Sequence, residues 1–319
     1  MPNMRPAPTG APIAILVSDL HLSHDPPKAR RGEKSWYQAQ GCVLEKLRQA
    51  EVDYACPIIC AGDVFHHWNQ PPELISWAIR NVPSMFAIPG QHDLPFHRLD
   101  LQHRSAYQCL VDAGILRDLD GPTPIHKSIK NPIWVHPYPW GVGDASLPKE
   151  YKKAINIAVF HRYAYKDQTT CYPGAPEDGL LKNIVQNNPG FDVYHFGDNH
   201  TPWLQFWDNR SIGAVNTGCA IRRKTDEVGT PSAAIVLYSS LEISTIDLTD
   251  PADVIETTTN ASKGEGHHTE QMVELLRTLR AGTAKQLNFV DVLLRHINKE
   301  DVPENVRNII LEALDAPED

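Results

Sequence analysis

The chain has 319 residues, 41% of them hydrophobic and 22% charged, which is the balance of an ordinary soluble globular protein. This length exceeds a typical single domain, so we expect one large domain with an appendage. The net charge of −9 argues against a protein that holds nucleic acid by surface charge alone, although bound metals or a basic partner could supply the missing positive field.

Cysteine usage and the start of the chain bear on its compartment. The six cysteines have no CxxC spacing, so we read them as reduced thiols rather than as a disulfide framework. Residues 1–12 lack a basic-then-apolar signal pattern, and the apolar run Ile13–Val17 is far too short to span a bilayer. We therefore expect a cytoplasmic protein that does not enter a membrane.

After residues 1–12, for which the Pro-rich composition predicts disorder, short apolar runs alternate with amphipathic stretches. The apolar runs are Ile13–Val17, Pro57–Ala61, Met85–Ile88, Ile133–Val135, Ile155–Phe160 and Asp192–Phe196. Helical spacing of apolar residues predicts helices over Glu33–Ala50 and Glu73–Asn81. Strands that alternate with helices predict an α/β fold with a largely parallel sheet.

The pattern changes after Gly213. Three strands with few helices between them are predicted at Ala214–Asn216, Ala233–Tyr238 and Leu241–Ile246, and we expect them to be antiparallel and to finish a second sheet. The composition predicts a catalytic domain over residues 13–250, a polar linker over 251–268 and a helical region over 269–319.

Polar side chains follow five of the predicted strands. In chain order they are Ser18-Asp19-Leu20-His21, Gly62-Asp63, Gly90-Gln91-His92-Asp93, His161, and Gly197-Asp198-Asn199-His200. The carboxyl ends of strands in an open α/β sheet line one crevice, so these side chains can converge. A single Asp or His at a strand end is usually a helix cap or a loop residue, but that explanation does not account for the ordered set.

The ordered set resembles the signature of the calcineurin-like metallophosphoesterases, which reads D-x-H, G-D, G-N-H-D/E, H and G-H-x-H. The resemblance covers roughly residues 13–220. It implies two divalent metal ions inside a sandwich of two mixed β-sheets flanked by helices. The implied metal ligands are Asp19, His21, Asp63 and His200 for the first ion, and Asp63, Gln91, His161 and Asp198 for the second. Asp63 is then the bridge, His92 faces the substrate, and Asp93 orients the His92 ring.

Two residues depart from the family pattern. Gln91 stands where the family has Asn, and Asp198 stands where it has the first His of G-H-x-H. Both replacements keep an atom that can bind metal, so we expect an altered but working site. The third carboxylate makes the site harder and less electropositive, which favours Mn²⁺, or Mg²⁺, over Zn²⁺.

Within this class the closer resemblance is to the nuclease subunit of the SbcCD complex. It is carried by Asp19-Leu20-His21-Leu22, Gly62-Asp63-Val64-Phe65-His66, Pro71-Pro72 and Asn216-Thr217-Gly218-Cys219. It implies a Mn²⁺-dependent DNA exonuclease and endonuclease of repair or recombination, with an ABC-type ATPase docked on the C-terminal helices. Those helices would suit a self-packed cap equally well, and a homodimer is left open.

Two other functions remain open from the residues. The chain could be a phosphoesterase for a cyclic nucleotide, a phosphoprotein or a small phosphomonoester. It could also be a metal-poor scaffold, a hypothesis suggested by the departures from the family pattern at Gln91 and Asp198.

Other residues of the sequence have open interpretations. His66 could contact substrate or pack in its loop, and His195 is expected to be a core histidine with satisfied nitrogens. The run 222–224 (Arg-Arg-Lys) could form a solvated turn or contact a phosphate backbone, and Trp68, Trp140, Trp203 and Trp207 could pack or stack on bases.

Overall fold

A computed structural model describes residues 7–126, 132–144, 146–227, 230, 232–250 and 252–255. The chain divides into two units, residues 1–258 and 259–319, and every described residue belongs to the first. The predicted helical region at 269–319 lies outside the described residues, as does the predicted linker except for 252–255. These two predictions therefore stay predictions.

The described part of the chain contains twelve strands and four α-helices. The strands are β1 (Pro12–Val17), β2 (Ile58–Cys60), β3 (Met85–Ala87), β4 (Leu116–Asp118), β5 (Thr123–His126), β6 (Ile133–Tyr138), β7 (Ile155–His161), β8 (Val193–Gly197), β9 (Trp203–Phe206), β10 (Ile212–Asn216), β11 (Ala233–Tyr238) and β12 (Ile243–Asp247). The α-helices are α1 (Trp36–Tyr54), α2 (Pro72–Asn81), α3 (Ala106–Asp112) and α4 (Leu181–Asn187).

The strands form two six-stranded mixed sheets, with orders β12-β11-β1-β2-β3-β4 and β5-β6-β7-β8-β10-β9. In the first sheet the neighbouring strands β1, β2, β3 and β4 are parallel to one another. In the second sheet the neighbouring strands β6, β7, β8 and β10 are parallel. Apolar side chains of both sheets, such as Ile59 and Val159, form one buried core between them. The opposite face of the first sheet packs against helices, α1 contributing Val43 and Leu47. The predicted α/β sandwich of two mixed sheets flanked by helices is confirmed.

The strands after Gly213 pair only partly as predicted. β10 belongs to the second sheet, where it runs parallel to β8 and antiparallel to β9, whereas β11 and β12 join the first sheet, with β11 antiparallel to β1 and to β12. The antiparallel pairing is therefore as predicted for β11 and β12 and for one neighbour of β10, but the prediction that all three strands finish a second sheet is wrong. β1 would otherwise be an edge strand with unpaired backbone groups, and the β11–β12 hairpin covers that edge.

The predicted disorder of residues 1–12 does not hold for the part next to β1. The hydroxyl of Thr9 donates to the Glu242 carboxylate at 2.6 Å, and the backbone N–H of Ala11 donates to Ser239 Oγ at 3.1 Å. Pro12 already belongs to β1. Within the described residues, no helix combines the length and apolarity that crossing a membrane requires.

Candidate metal centre

The carboxyl ends of β1, β2, β3, β7 and β8 meet at one edge of the sandwich and bring the predicted ligands together. His161 is the last residue of β7, and the other ligands lie in the loops that follow their strands. These side chains form overlapping groups in which the ligand atoms lie within 4.8 Å of one another, among them Asp19–His21–His200 and Asp19–Asp63–His161.

The backbone of these loops is held in an unusual conformation. The loops after β1 and β2 run side by side, since the Asp19 N–H donates to Gly62 O at 3.0 Å. Four of the predicted ligands have positive φ angles: Asp19 (52°), His21 (46°), Asp63 (53°) and Asp198 (81°). Non-glycine residues rarely adopt this conformation, and such strain concentrates at functional sites.

The first group contains two imidazoles that face each other. The Nε2 atoms of His21 and His200 lie 3.0 Å apart, and they lie 3.7 Å and 3.8 Å from Asp19 Oδ1. Two ring nitrogens at this separation need a proton or a cation between them. Imidazole nitrogen and carboxylate oxygen are ligands that divalent transition metals accept, so this donor set fits a metal ion.

The second group contains both residues that depart from the family pattern. His161 Nε2 lies 2.6 Å from Gln91 Oε1, and the Gln91 amide donates to Asp198 Oδ1 at 2.6 Å. The other ring nitrogen of His161, Nδ1, lies 2.5 Å from the Ala61 carbonyl oxygen. A metal-binding histidine commonly donates its second N–H in this way, which leaves Nε2 free for the ion.

Asp63 lies between the two groups. Its Oδ1 is 3.4 Å from His161 Nε2, and its Oδ2 is 3.6 Å from His21 Nε2. Oδ2 is buried and has no hydrogen-bond partner among the described residues. A buried carboxylate oxygen without a partner is costly, so its position among histidines fits a bridging metal ligand.

Burial and mutual charge shift the pKa values of the centre in opposite directions. Burial raises the pKa of Asp19 to about 6 and lowers that of His21 well below its ordinary value. Burial alone would lower the pKa of His161, but the neighbouring carboxylates, Asp63 first, raise it to about 10. Burial likewise works against ionisation of Asp63, yet the adjacent histidines hold its pKa below the ordinary range. Such a cluster is stable when positive charge is bound within it.

The family model for calcineurin-like phosphoesterases matches residues 14–202 of this chain. The chain belongs to that family. None of the curated protein sequences matches it.

Three solved structures are similar to this chain at low sequence identity. The sulfate thiohydrolase SoxB of Thermus thermophilus is 12% identical over 76% of this chain and 58% of its own, with a TM-score of 0.43. The calcineurin-like phosphoesterase YfkN of Bacillus subtilis is 10% identical over 78% and 93%, with a TM-score of 0.46. The NAD nucleotidase of Haemophilus influenzae is 11% identical over 73% and 48%, with a TM-score of 0.39. This chain thus spans less than two thirds of the SoxB and NAD nucleotidase chains.

In this calcineurin-like phosphoesterase, His92 lies beside the two ligand groups. Its backbone N–H donates to Asp63 Oδ1 at 3.0 Å, and its ring lies against that of His21, with centroids 5.0 Å apart. The ring of His66 stacks on the ring of His92 at 5.3 Å. His66 therefore packs against the predicted catalytic histidine, which leaves both interpretations of His66 open.

Asp93 has a different role from the predicted one. Its carboxylate accepts hydrogen bonds from the backbone N–H groups of Val64 (3.1 Å), Phe65 (2.8 Å) and Gly90 (3.0 Å). With both oxygens occupied in this way, Asp93 ties the loop after β2 to the loop after β3. The prediction that Asp93 orients the His92 ring is not what these contacts show.

The basic run at 222–224 also differs from expectation. Arg222 pairs with Asp253 at 2.7 Å, and Arg223 is buried and donates to the His21 carbonyl oxygen at 2.7 Å. The two arginines therefore hold the fold together, and Lys224 is the member of the run that lines the cavity beside the metal centre.

A cavity of about 450 Å³ opens beside the centre and exposes residues that the sequence did not indicate. Its lining includes Asp198 and His200 together with Tyr163, Tyr172 and Glu227. Tyr163 follows His161 by two positions, which is a weak signal at most, and no motif marks Tyr172 or Glu227. The four tryptophans considered for base stacking do not line this cavity, and Trp203 is buried.

Proposed function

We propose that this calcineurin-like phosphoesterase is a two-metal phosphodiesterase that hydrolyses DNA. The observation that carries the proposal is the position of Asp63, whose two oxygens face the two separate ligand groups. A carboxylate can present one oxygen to each of two cations, which no amide or imidazole can do.

The assignment of residues to the two metals is the one that the family resemblance implies, and the two groups support it. Asp19, His21, Asp63 and His200 would hold the first ion, and Asp63, Gln91, His161 and Asp198 the second. Two divalent ions held there would supply activation of water and Lewis-acid polarisation of the phosphoryl oxygens. The hard oxygen ligands of Gln91 and Asp198 support Mn²⁺, or Mg²⁺, over Zn²⁺.

His92 supplies the proton chemistry in this proposal. Its ring lines the cavity next to the ligand groups, and its backbone N–H is anchored on Asp63. A histidine so placed can donate a hydrogen bond to the substrate phosphoryl group and protonate the leaving oxygen. We assign His92 these two roles.

DNA as the substrate rests on the resemblance to the SbcCD nuclease subunit, and the stretches that carry it border the centre. Leu22 bridges to Phe65 between the first two loops. The Asn216 amide donates to the Asn199 and Thr201 carbonyl oxygens at 2.6 Å and 2.8 Å, on either side of His200. A role in DNA repair or recombination, and an ABC-type ATPase partner, extend the proposal on the same resemblance.

The proposal is tested by incubating the protein with single-stranded and double-stranded DNA, and with aryl phosphate monoesters and diesters, in Mn²⁺, Mg²⁺ or Zn²⁺. We expect Mn²⁺-dependent cleavage of DNA and of the diester, and about two metal equivalents per chain. Turnover confined to monoesters would indicate instead a phosphoesterase that acts on a substrate other than DNA. Well under one equivalent of metal at saturating Mn²⁺ would favour the scaffold.

Two variants separate the chemistry from metal binding. His92→Ala should keep both metals and lose about 10²-fold or more in turnover, because it removes the proton donor alone. Asp63→Ala should lose metal as well as turnover, since both groups share that residue. Metal analysis and DNA cleavage are measured on both, with His103→Ala, an exposed histidine away from the centre, as the control. Turnover of His92→Ala equal to that of the wild type would contradict the role of His92.

A further inference from the structure

The cavity beside the metal centre has an aromatic wall. Tyr163 and Tyr172, which form this wall, line the cavity together with Gln91, Asp198 and His200. The two tyrosine rings lie 4.9 Å apart at an interplanar angle of 55°. Tyr172 is 52% exposed, so its ring face is open to solvent rather than used for core packing.

The aromatic wall is fixed relative to the metal ligands. The Tyr163 hydroxyl oxygen accepts a hydrogen bond from the Tyr172 backbone N–H at 3.1 Å, which links the two residues directly. The buried Asn199 amide donates to the Ala164 carbonyl oxygen at 2.7 Å and to that of Thr170 at 2.8 Å. Asn199 stands between Asp198 and His200 in the sequence. The Asn199 side chain thus connects the loop that contains Tyr163 and Tyr172 to the loop that contains Asp198 and His200.

The aromatic wall favours a ligand that contains a flat aromatic ring. The ring of Tyr172 is exposed and that of Tyr163 is half-buried, and a π face attracts an aromatic group but offers nothing to a phosphate oxygen. A volume of about 450 Å³ lies within the range of ligand-binding cavities. Trp203, which lies near the same loop, is buried and donates its indole N–H to the Ala164 carbonyl oxygen at 3.1 Å, so it serves packing instead.

We propose that Tyr163 and Tyr172 form a nucleobase subsite, which stacks the base next to the scissile phosphate. This inference rests on the proposed phosphodiesterase function, because it assigns the group attached to the phosphate that the metal centre holds. Bases in a duplex are already stacked on one another, so the subsite takes an unpaired base. The substrate it fits is therefore a single strand or a frayed end.

The subsite is tested by binding rather than turnover, with two ligands that differ only in the base. The affinities of dAMP and 2-deoxyribose 5-phosphate are measured by calorimetry on the Mn²⁺-loaded protein. Wild type should bind dAMP roughly 5- to 150-fold more tightly, the ratio that corresponds to about 1–3 kcal/mol of stacking per base.

Four variants, at Tyr172, Tyr163 and the control position Trp207, assign that ratio to the rings. Tyr172→Leu should lose most of the ratio, and Tyr172→Phe, which keeps the ring, should retain it. Trp207→Leu removes an aromatic residue of similar exposure (47%) outside the cavity lining and should also retain it. A wild-type ratio within twofold of one, or a ratio unchanged in Tyr172→Leu and Tyr163→Leu, would overturn the subsite.

The two proposals fail separately. Cleavage of DNA without any base-dependent binding removes the subsite and leaves the nuclease function in place. Base-dependent binding that is lost in Tyr172→Leu, without cleavage of any DNA, supports the subsite and removes the nuclease function. In that case the bound nucleotide itself becomes the substrate class to examine.

Discussion

The geometry of the candidate metal centre depends on single residues, and Asp63 is the clearest example. Its two oxygens face different ligand groups, and its Oδ1 also accepts the His92 backbone N–H. A Cβ at position 90 would collide with this same oxygen, so the glycine before Gln91 is required by close approach rather than by a turn. The sequence showed Gly90 and Asp63 as separate motif positions, but only their contact explains why both are needed.

Glu227 contacts His200, one of the candidate metal ligands. Its Oε1 lies 3.4 Å from His200 Nδ1, which is close enough for an ion pair, although the angles fall outside hydrogen-bond geometry. The Lys224 backbone N–H donates to its other oxygen at 3.0 Å, which fixes the carboxylate in place. A carboxylate at this position favours the His200 tautomer that carries its proton on Nδ1 and leaves Nε2 free.

Glu227→Gln should weaken metal binding. The amide N–H₂ would face Nδ1 and favour the tautomer protonated on Nε2, which cannot bind an ion, so we expect a loss of about 10- to 100-fold in Mn²⁺ affinity. Mn²⁺ titration followed by electron paramagnetic resonance measures this. Glu242→Gln is the matched control, because Glu242 is equally buried at 7% exposure but lies on the β11–β12 turn. Equal Mn²⁺ affinity in both variants would remove the role assigned to Glu227.

At the scale of elements, the centre depends on how neighbouring loops are joined. Asp93 accepts three backbone N–H groups from the loops after β2 and β3, so it aligns the two loops that carry Asp63 and Gln91. The motif position of Asp93 was recognised from the sequence, but its role was assigned to the His92 ring. Sequence spacing makes adjacent residues look like partners, whereas the contact here joins Val64 and Asp93, which are 29 positions apart in the chain and follow two neighbouring parallel strands.

His195 lies in β8 and faces the core between the two sheets. It is fully buried, its cross-strand neighbours are Val159 and Val215, and neither ring nitrogen has a hydrogen-bond partner among the described residues. It is thus a core histidine as expected, but the hydrogen bonds expected for its nitrogens are not found among the described residues. Burial lowers the pKa of His195 to about 3.

This histidine should make stability sensitive to acid. The unfolded chain takes up a proton at His195 as pH falls below about 6.5, whereas the folded chain does so only near pH 3, so stability falls with pH across that window. Between pH 7 and pH 5, wild type should lose about 2 kcal/mol more of its unfolding free energy than His195→Leu. Urea denaturation at both pH values measures the difference. Parallel losses in the two proteins would contradict it.

For the molecule as a whole, charge limits the way in which DNA can be held. The net charge is −9, and two arginines near the centre, Arg222 and Arg223, are engaged in contacts within the fold. Lys224 is the basic residue of that run on the cavity lining. Affinity for DNA should therefore come from the metal centre and from stacking more than from release of counterions.

The salt dependence of DNA binding should accordingly be shallow. We expect the logarithm of the affinity for a single strand to fall with the logarithm of salt concentration with a slope of magnitude below about 2, because few phosphates are neutralised by side chains. Fluorescence anisotropy at constant Mn²⁺ measures it, and Lys224→Gln should reduce the slope by about 1. A slope near 6 or steeper would contradict this prediction, because it would indicate that a basic surface of the protein neutralises many phosphates.

Several parts of the fold had no clear signal in the sequence. The short strands β4 (Leu116–Asp118) and β9 (Trp203–Phe206) carry too few residues for a period of two to be recognised. The hairpin β11–β12 was recognised as two strands, but its place beside β1 depends on which edge is free after the sheet has formed. Pairing between distant strands is a property of the assembled sheet.

The sequence by itself determined the α/β class, the order of the strand ends and the candidate ligands at positions 19, 21, 63, 91, 161, 198 and 200. These features are local, because consecutive residues of the sequence encode a buried strand and the polar turn that follows it. Only the tertiary structure decided that Asp63 separates two ligand groups, that Glu227 faces His200, and that the tyrosines form a wall of the cavity. Those relations join residues with no common spacing, and packing of the two sheets is what brings them into contact.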